Sequence, residues 1–192
     1  MSEEILSITP NELSEYAKIP IAFDVRSKFE VQSVDNSLGS AQLREVEVEP
    51  YIKDYDALGN NKPTDWPKRF NVATWGLFLV RRSGIPVGGA AIALNTPEIS
   101  SKQKSGSAVL WDLRVHPDYR GSGLGKELFQ KAVAWAKSKG CTQLRVETQN
   151  TNVGACKFYA QQGCKLGEID RFKYSDDPDV KDEVMLVWYL DL

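Results

Sequence analysis

A glycine-rich segment between residues 120 and 126 carries the clearest chemistry in the chain. Arg120 is followed by Gly-Ser-Gly-Leu-Gly and then by Lys126. The apolar residues that come next recur at helical spacing, which predicts a loop that opens a helix. The first N–H groups of a helix have no internal partner and lie at the positive end of its dipole, and glycines let an anion approach the backbone. The segment therefore predicts a site for a phosphate group.

Two other phosphate-binding motifs do not fit this segment. A Walker A loop needs Gly-x-x-x-x-Gly-Lys-Ser/Thr, but Glu127 follows Lys126, and Arg120 stands where the first glycine belongs. The dinucleotide fingerprint needs Gly-x-Gly-x-x-Gly, and Lys126 occupies the place of its third glycine. What remains is Arg-x-x-Gly-x-Gly after a strand that ends in Val-His-Pro.

With this loop the chain resembles the GNAT superfamily of N-acetyltransferases, whose members hold the diphosphate of acetyl-CoA there. Residues 152–164, NVGACKFYAQQGC, are similar to the superfamily motif N-x-x-A-x-x-F-Y-x-x-x-G-F, and only Cys164 departs from it. The stretch VETQNTNVGACKFYAQQGCKLGEID more narrowly resembles the streptothricin acetyltransferases. The likeness is good over residues 108–192 and weak over the first hundred.

The resemblance implies an α/β fold with a mixed sheet, in which a mostly antiparallel sheet holds one splayed parallel pair and helices flank it. A length of 192 residues with 42% hydrophobic content predicts one domain over residues 1–192. The implied enzyme moves an acetyl group from acetyl-CoA to a primary amine of a small molecule by direct attack in a ternary complex. The β-lysyl amine of a cationic antibiotic such as streptothricin is one acceptor of this kind. Two alternatives stay open, a protein or peptide N-acetyltransferase and a non-catalytic acyl-CoA sensor.

Two carboxylates are candidates for the general base of such a reaction. A base is useful because a lysine-type amine, with a pKa near 10.4, is neutral in only about one molecule in 2,500 at pH 7. Strand alternation places Glu147 on one face with Arg145, and Asp112 on one face with Arg114. The spacing from Glu147 to Tyr159 resembles that of ribosomal-protein N-acetyltransferases, which carry a catalytic glutamate there. An ion pair with the neighbouring arginine is the alternative for both carboxylates.

The resemblance also implies the remaining site residues. Tyr159 matches the superfamily tyrosine whose hydroxyl gives a proton to the departing sulfur, whereas the helix alone favours a tyrosine packed beside Phe158 with its hydroxyl at the surface. Asn152 matches an asparagine that bonds the pantetheine arm, and it is also a good N-cap for its helix. The other implied cofactor contacts are the main chain of Leu113 and Val115 and, around the diphosphate, Arg120, Gly121, Ser122, Gly123, Leu124, Gly125 and Lys126.

Composition excludes several other classes of protein. A formal net charge of −2 argues against nucleic-acid binding, which usually needs a strongly basic chain. The apolar runs are too short to span a bilayer, and no secretory signal is visible. Three cysteines without C-x-x-C spacing predict reduced thiols and neither disulfides nor a metal site, and the lone histidine, His116, predicts an exposed turn. We expect a cytoplasmic protein with no nucleic-acid or membrane partner, acting as a monomer or homodimer.

Periodicity predicts the elements that position these residues. Helices are expected at residues 10–18, from the glycine loop to residue 140, and at residues 152–162. Strands are expected at residues 21–32, 43–48, 75–82, 85–94, 109–115, 142–148, 165–174 and 184–190. The strand at 109–115 is interpreted as one uninterrupted alternation. Irregular loops are expected at residues 51–71, including Trp66 as part of the acceptor site, and at 95–106, with turns at 35–40 and 176–179.

Overall fold

Nine strands and four helices make up the described part of the chain, which in this computed structural model comprises residues 4–33, 40–59, 61–94 and 106–192. The strands are β1 Ile5–Ser7, β2 Phe23–Ser33, β3 Ala41–Lys53, β4 Gly76–Arg82, β5 Ile85–Leu94, β6 Ser107–Val115, β7 Gln143–Gln149, β8 Lys165–Asp170 and β9 Met185–Asp191. The helices are α1 Leu13–Tyr16, α2 Trp66–Arg69, α3 Leu124–Ser138 and α4 Val153–Gln161. Short 3₁₀ turns lie at Pro10–Glu12, Tyr55–Ala57, Pro63–Asp65, Val72–Thr74 and Pro117–Tyr119.

The chain divides into two compact units. The first holds the described parts of Met1–Ala22, Asp54–Val146 and Leu190–Leu192, and the second holds those of Phe23–Lys53 and Glu147–Tyr189. Because the division falls after Val146, the first part of β7 belongs to one unit and its end to the other.

In the first unit the strands follow the order β1-β4-β5-β6-β7. The pairs β1–β4, β4–β5 and β5–β6 are antiparallel, and β6 pairs with β7 in parallel from Ser107↔Gln143 to Leu110↔Val146. The predicted mixed, mostly antiparallel sheet is confirmed. Strands β4 and β5 form a hairpin, and its connecting residues Ser83 and Gly84 have φ of 48° and 82°, the left-handed conformation that a two-residue hairpin needs.

Two adjacent glycines of β5 let side chains pack closely on both faces of this sheet. A Cβ at Gly89 would lie 2.4 Å from the ring of Tyr16 on α1, which packs edge-on against Trp66. A Cβ at Gly88, whose side of the strand is the opposite one, would lie 2.9 Å from Leu124 on α3. The absence of a side chain at both positions therefore sets how close α1 and α3 come to the sheet.

Strand β6 contains one extra residue at Trp111. The register runs from Ala93↔Val109 to Ala91↔Asp112 and shifts between these pairs. Since Ala91 and Ala93 share one face of β5, their partners Val109 and Asp112 share a face as well, which is the effect of a β-bulge. The prediction of one uninterrupted alternation along this strand is wrong, because the bulge moves Asp112 onto the face that holds Val109.

The segment expected as an irregular loop at residues 51–71 is more ordered than predicted. Strand β3 continues to Lys53, and two 3₁₀ turns and α2 follow it. Trp66 is only 1% exposed, and its indole N–H donates to the carbonyl of Asn61 at 2.9 Å. The interpretation of Trp66 as an acceptor contact is wrong, because burying so large an apolar ring stabilises the core.

Other boundaries shift by a few residues. The helix expected at 10–18 is a 3₁₀ turn followed by the single turn α1, and the N–H of Thr9 donates to Glu12 Oε2 at 3.0 Å as a capping box requires. The strand expected at 165–174 ends at Asp170, whose Oδ1 accepts the N–H of Phe172 at 2.9 Å and turns the chain. The turn expected at 35–40 and the loop at 95–106 lie almost entirely outside the described residues.

In the second unit the strand order is β7-β9-β8, and β2 and β3 form a separate two-stranded antiparallel sheet. Asn150, just after β7, is 4% exposed and joins two parts of this unit. Its main-chain carbonyl and side-chain Nδ2 bond the N–H and carbonyl of Phe29 on β2, both at 2.8 Å. Its main-chain N–H and side-chain Oδ1 bond the carbonyl and N–H of Val184 before β9, both at 2.9 Å. One asparagine thus pairs with four backbone groups of two separate segments of this unit.

Within the described ranges no helix combines the length and the apolar character that crossing a membrane requires.

Buried proton donors should make the protein unfold more easily in alkali. Burial raises the pKa of Tyr16 well above its ordinary value and raises the pKa of the Cys156 and Cys164 thiols to about 11 from 9.0. The folded chain keeps these protons at a pH where the unfolded chain releases them, so stability is full below about pH 9 and falls as pH rises toward 11. Urea unfolding between pH 8 and 10.5 measures this decline. In the Cys156→Ala variant the free energy of unfolding should fall less steeply with pH. An equal fall in both proteins would contradict the raised pKa of Cys156.

Candidate functional site

The site residues predicted from the sequence fall into two groups, one in each compact unit. The first unit holds Asp112, Leu113, Val115 and the loop at residues 120–126, and the second holds Glu147, Asn152 and Tyr159. Each group is built by its own local structure.

The main chain of β6 presents two residues at the edge that faces away from β5. The N–H of His116 donates to the carbonyl of Val87 on β5 at 2.8 Å, and hydrogen-bonded pairs alternate along an antiparallel ladder. Leu113 and Val115 occupy the intervening register positions, so their N–H and C=O groups point away from β5. This is the geometry that an added extended segment uses when it binds along a strand.

The loop after β6 depends on glycine for its backbone conformation. Gly121 and Gly123 have φ of 78° and 94°, in the left-handed region that other residues rarely adopt. A Cβ at either position would meet no atom within 4 Å, so conformation and not space demands glycine here. Both residues are exposed, as a loop that receives a ligand must be.

The start of α3 supplies the N–H groups predicted for an anion. The carbonyl of Gly123 accepts the N–H groups of Lys126 at 2.9 Å and Glu127 at 3.2 Å. The N–H groups of Leu124 and Gly125 precede this first helical bond, so they are the helix N–H groups left for a ligand. Lys126 could contribute only its exposed side chain, and Leu124, whose side chain is buried, only its main chain.

Arg120 and Ser122 hold the loop in place. Arg120 Nε donates to the carbonyl of Val115 at 3.1 Å, and Arg120 Nη2 donates to the carbonyl of Ala22 at 2.9 Å. Burial lowers the pKa of this guanidinium. Ser122 Oγ donates to the carbonyl of Tyr119 at 2.7 Å. Both side chains therefore bond the protein's own carbonyls, and their predicted contact with a diphosphate stays a prediction.

Arg114 on β6 lies at the centre of a largely buried polar network. Its Nε and Nη2 donate to both oxygens of Asp112 at 2.9 and 2.8 Å, and its Nη1 and Nη2 donate to both oxygens of Asp56 at 2.9 and 3.1 Å. Nη1 also donates to the carbonyl of Ile19 at 3.1 Å. Arg114 is 2% exposed, and the two carboxylates raise the pKa of its guanidinium against the opposing effect of burial.

Tyr16 completes the network through Asp112. Its hydroxyl donates to Asp112 Oδ1 at 2.6 Å. Burial and the negative charge of Asp112 raise the pKa of Tyr16 well above its ordinary value. Asp112 is thus held in the ion pair that was the alternative to a catalytic role, and its assignment as a base stays a prediction.

In the second unit, Glu147 takes part in a short chain of hydrogen bonds. Gln149 Nε2 donates to the hydroxyl of Tyr174 at 2.7 Å, and that hydroxyl donates to Glu147 Oε1 at 2.9 Å. Glu147 itself is exposed and Tyr174 is half-buried. The predicted base therefore has a phenol as a hydrogen-bond donor.

The other two predicted site residues of this unit lie at the start of helix α4 and within it. Asn152 caps the helix, because its Oδ1 accepts the N–H of Ala155 at 3.0 Å. Tyr159 is 6% exposed and its ring meets that of Phe158 edge-on at 5.2 Å between centroids. The capping role predicted for Asn152 is confirmed. The ring of Tyr159 packs beside Phe158, as the alternative to an acid role describes, and the acid role stays a prediction.

Four residues of these networks were not predicted from the sequence, namely Tyr16, Asp56, Gln149 and Tyr174. Tyr16 and Asp56 bond partners 96 and 58 positions away in the chain. Tyr174 bonds a partner 27 positions away. No local pattern marks such pairs, since only the folded chain brings them together. Among the described residues, no group of three or more histidine, cysteine or acidic side chains is placed to hold a metal ion.

A family model matches more than half of the chain. The model is that of the acetyltransferase (GNAT) family, and it matches residues 40–164. A streptothricin acetyltransferase from Escherichia coli is 29% identical over 184 residues, which cover 96% of this chain and 94% of that protein. Streptothricin acetyltransferase A from Bacillus subtilis (strain 168) is 39% identical over 85 residues, 44% of this chain and 49% of that protein.

Solved structures agree with this result. A protein from Bacillus anthracis str. Ames, provisionally described as a streptothricin acetyltransferase and solved with acetyl coenzyme A, has a TM-score of 0.78. It is 26% identical, with all of both chains covered. The structure of nourseothricin acetyltransferase has a TM-score of 0.77 at 20% identity, covering 100% of this chain and 99% of the other, and supports the fold alone. The predicted fold class is confirmed.

Arg114→Met should destabilise the protein strongly. The variant keeps much of the side-chain length but leaves the half-buried carboxylates of Asp56 and Asp112 without their cation, which costs about 3 kcal/mol, the lower end for breaking a buried pair. Urea unfolding at pH 7 measures the loss. Arg26→Met is the control, since Arg26 forms an exposed pair with Asp24 and should be nearly neutral.

A second substitution separates charge from packing in this prediction. Adding Asp56→Asn to Arg114→Met removes one of the two uncompensated charges and should restore part of the stability. If the double variant is no more stable than Arg114→Met, the network is not held together by its charges.

Proposed function

The chain belongs to the GNAT family of acetyltransferases, and from that premise we propose that it acetylates a primary amine of a cationic small molecule of the streptothricin type. The similarity to the streptothricin acetyltransferase of Escherichia coli, which extends over nearly the whole chain, carries this proposal. As a member of this family the protein is an acyltransferase that uses acetyl-CoA, and these two predictions are confirmed at the level of the family.

The residues of the first unit fit the phosphate and amide groups of acetyl-CoA. The fit rests on the left-handed Gly121 and Gly123 and on the N–H groups that open α3. The outward main chain of Leu113 and Val115 suits the amides of a pantetheine arm, and Asn152 of the second unit stays a proposed contact to that arm. These residues bind and orient the donor; acetyl-CoA itself supplies an acetyl group activated as a thioester.

In the proposed mechanism two side chains of the second unit move protons. Glu147 takes a proton from the acceptor ammonium group, directly or through water, because only the neutral amine is a nucleophile. Tyr159 gives its hydroxyl proton to the departing sulfur. Asp112 is the less favoured base, since Arg114 and Tyr16 already occupy its oxygens.

Charge supports a cationic acceptor. In the first unit, Asp56 and Asp112 share the single positive charge of Arg114, which leaves one net negative charge. In the second unit, Glu147 is exposed, and so are Asp176, Asp177 and Asp179 in the turn before β9. Negative charge of this kind attracts an ammonium group and speeds its encounter with the protein.

The proposed compartment remains the cytoplasm, and the proposed form a monomer or homodimer. The three cysteines are free thiols, as a reducing compartment favours.

A thiol-release assay tests the acceptor. The purified protein is mixed with acetyl-CoA and with one amine at a time. The amines are streptothricin, an aminoglycoside, a lysine derivative and a peptide with an N-terminal alanine. We expect the highest kcat/KM with streptothricin, because the proposed acceptor is a cationic small molecule. A higher kcat/KM for the peptide would assign the protein to the protein N-acetyltransferases. Tight acetyl-CoA binding without turnover of any amine would instead identify a sensor.

Tyr159→Phe and Glu147→Gln should each lower kcat with the best acceptor. Loss of general acid or base catalysis typically costs a factor of about 10²–10⁴. The KM for acetyl-CoA should change little in Glu147→Gln, because Glu147 is proposed to contact the amine. Tyr189→Phe removes a hydroxyl from β9 in the same unit and serves as the matched control. Normal turnover by Tyr159→Phe would remove that residue from the mechanism.

A further inference from the structure

We propose that Tyr174 is a positioning residue that fixes the carboxylate of Glu147, and that Gln149 sets the direction of its hydroxyl proton. The inference rests on the proposed function, in which Glu147 is the general base. Tyr174 itself contacts neither substrate in this scheme and acts through Glu147 alone.

The chemistry of the three groups leaves one arrangement of hydrogens. The Nε2 atom of Gln149 can only donate, and it lies 2.7 Å from the hydroxyl oxygen of Tyr174. An ionised carboxylate can only accept, and Glu147 Oε1 lies 2.9 Å from the same oxygen. The hydroxyl has a single hydrogen, so it accepts from Gln149 and donates to Glu147. A phenol held in this way gives the carboxylate a charge-assisted hydrogen bond.

The position of Glu147 and Gln149 on β7 makes the bridge compatible with the strand. The two residues are two positions apart, so their side chains leave the same face of the strand. A single hydroxyl that approaches this face reaches both. The burial pattern agrees, since Val146 and Thr148, which leave the other face, are buried.

The loop between β8 and β9 is anchored around Tyr174. Arg171 Nη2 donates to the carbonyl of Val31 on β2 at 2.8 Å. The N–H of Asp177 donates to the carbonyl of Tyr174 at 3.0 Å, and the N–H of Ser175 donates to that of Phe172 at 3.2 Å. Further along the loop, the carboxylate of Glu183 pairs with the buried ammonium group of Lys53 at the end of β3. A hydroxyl carried on so constrained a loop can hold a side chain at low entropic cost.

The consequence concerns kcat and not binding. Without the hydroxyl, the Glu147 carboxylate loses this donor and spends less time in the orientation in which it can take a proton from the amine. Tyr174→Phe should therefore lower kcat by about tenfold to thirtyfold while the KM for acetyl-CoA stays within twofold. Gln149→Met, which removes the donor and keeps the length, should lower kcat less, because the hydroxyl loses only its orientation.

A double-mutant cycle with Glu147 tests the proposal. If Tyr174 acts through Glu147, the double variant Tyr174→Phe/Glu147→Gln turns over at the rate of Glu147→Gln alone. Tyr189→Phe is the matched control, because its ring packs against Gly167 and it should keep the normal rate. A rate loss in Tyr174→Phe that adds fully to that of Glu147→Gln would overturn the proposal, as would normal kcat in Tyr174→Phe.

The same experiment separates this proposal from the proposed function. If Glu147→Gln turns over normally, Glu147 is not the base and the proposed function fails in that respect, whatever Tyr174 does. If Glu147→Gln is slow and Tyr174→Phe is normal, the proposed function stands and the positioning role fails. A crystal structure of Tyr174→Phe gives a readout without turnover: we expect the Glu147 side chain in a new rotamer or in several, and an unchanged rotamer would contradict the proposal.

Discussion

The structure depends on how strand β6 distributes its hydrogen bonds. From Ala108 to Val115 it pairs with β5, whereas its parallel register with β7 covers only Ser107 to Leu110. The bulge at Trp111 follows directly, and from there the main chain of Leu113 and Val115 faces away from β5. The carbonyl of Val115 already accepts from Arg120, and the remaining outward main-chain groups of this stretch are the ones proposed to pair with an extended ligand.

The bulge also decides which side chains the strand presents to α1. It brings Asp112 onto the face where Tyr16 lies, and Arg114 follows two positions later on the same face. A guanidinium buried there needs neighbouring carboxylates, and the second one comes from Asp56 in the short turn after β3. The turn at Tyr55–Ala57 is thereby tied to the sheet by two hydrogen bonds to a buried cation.

What the sequence could predict depends on how local the responsible interaction is. The Asn152 cap follows from a few neighbouring residues and is present as expected, and the helix that begins after the glycine loop is equally local. The bulge at Trp111 was not predictable, because an alternation of apolar and polar residues does not show that one residue lacks a cross-strand partner. Asp56 and Tyr174 were missed because their partners lie 58 and 27 positions away in the chain. Trp66 was predicted as part of the acceptor site because its segment is rich in proline and glycine. Such a segment can still pack against a core, and Trp66 is buried there.

The paired glycines of β5 have a further consequence for which substitutions the sheet tolerates. A methyl group at position 89 would displace the ring of Tyr16, and with it the hydroxyl that bonds Asp112, while one at position 88 would press on the first turn of α3. Both sites transmit their effect to groups near the proposed chemistry without touching any ligand. A side chain at either position would therefore disturb the Asp112 network or the start of α3 from within the sheet.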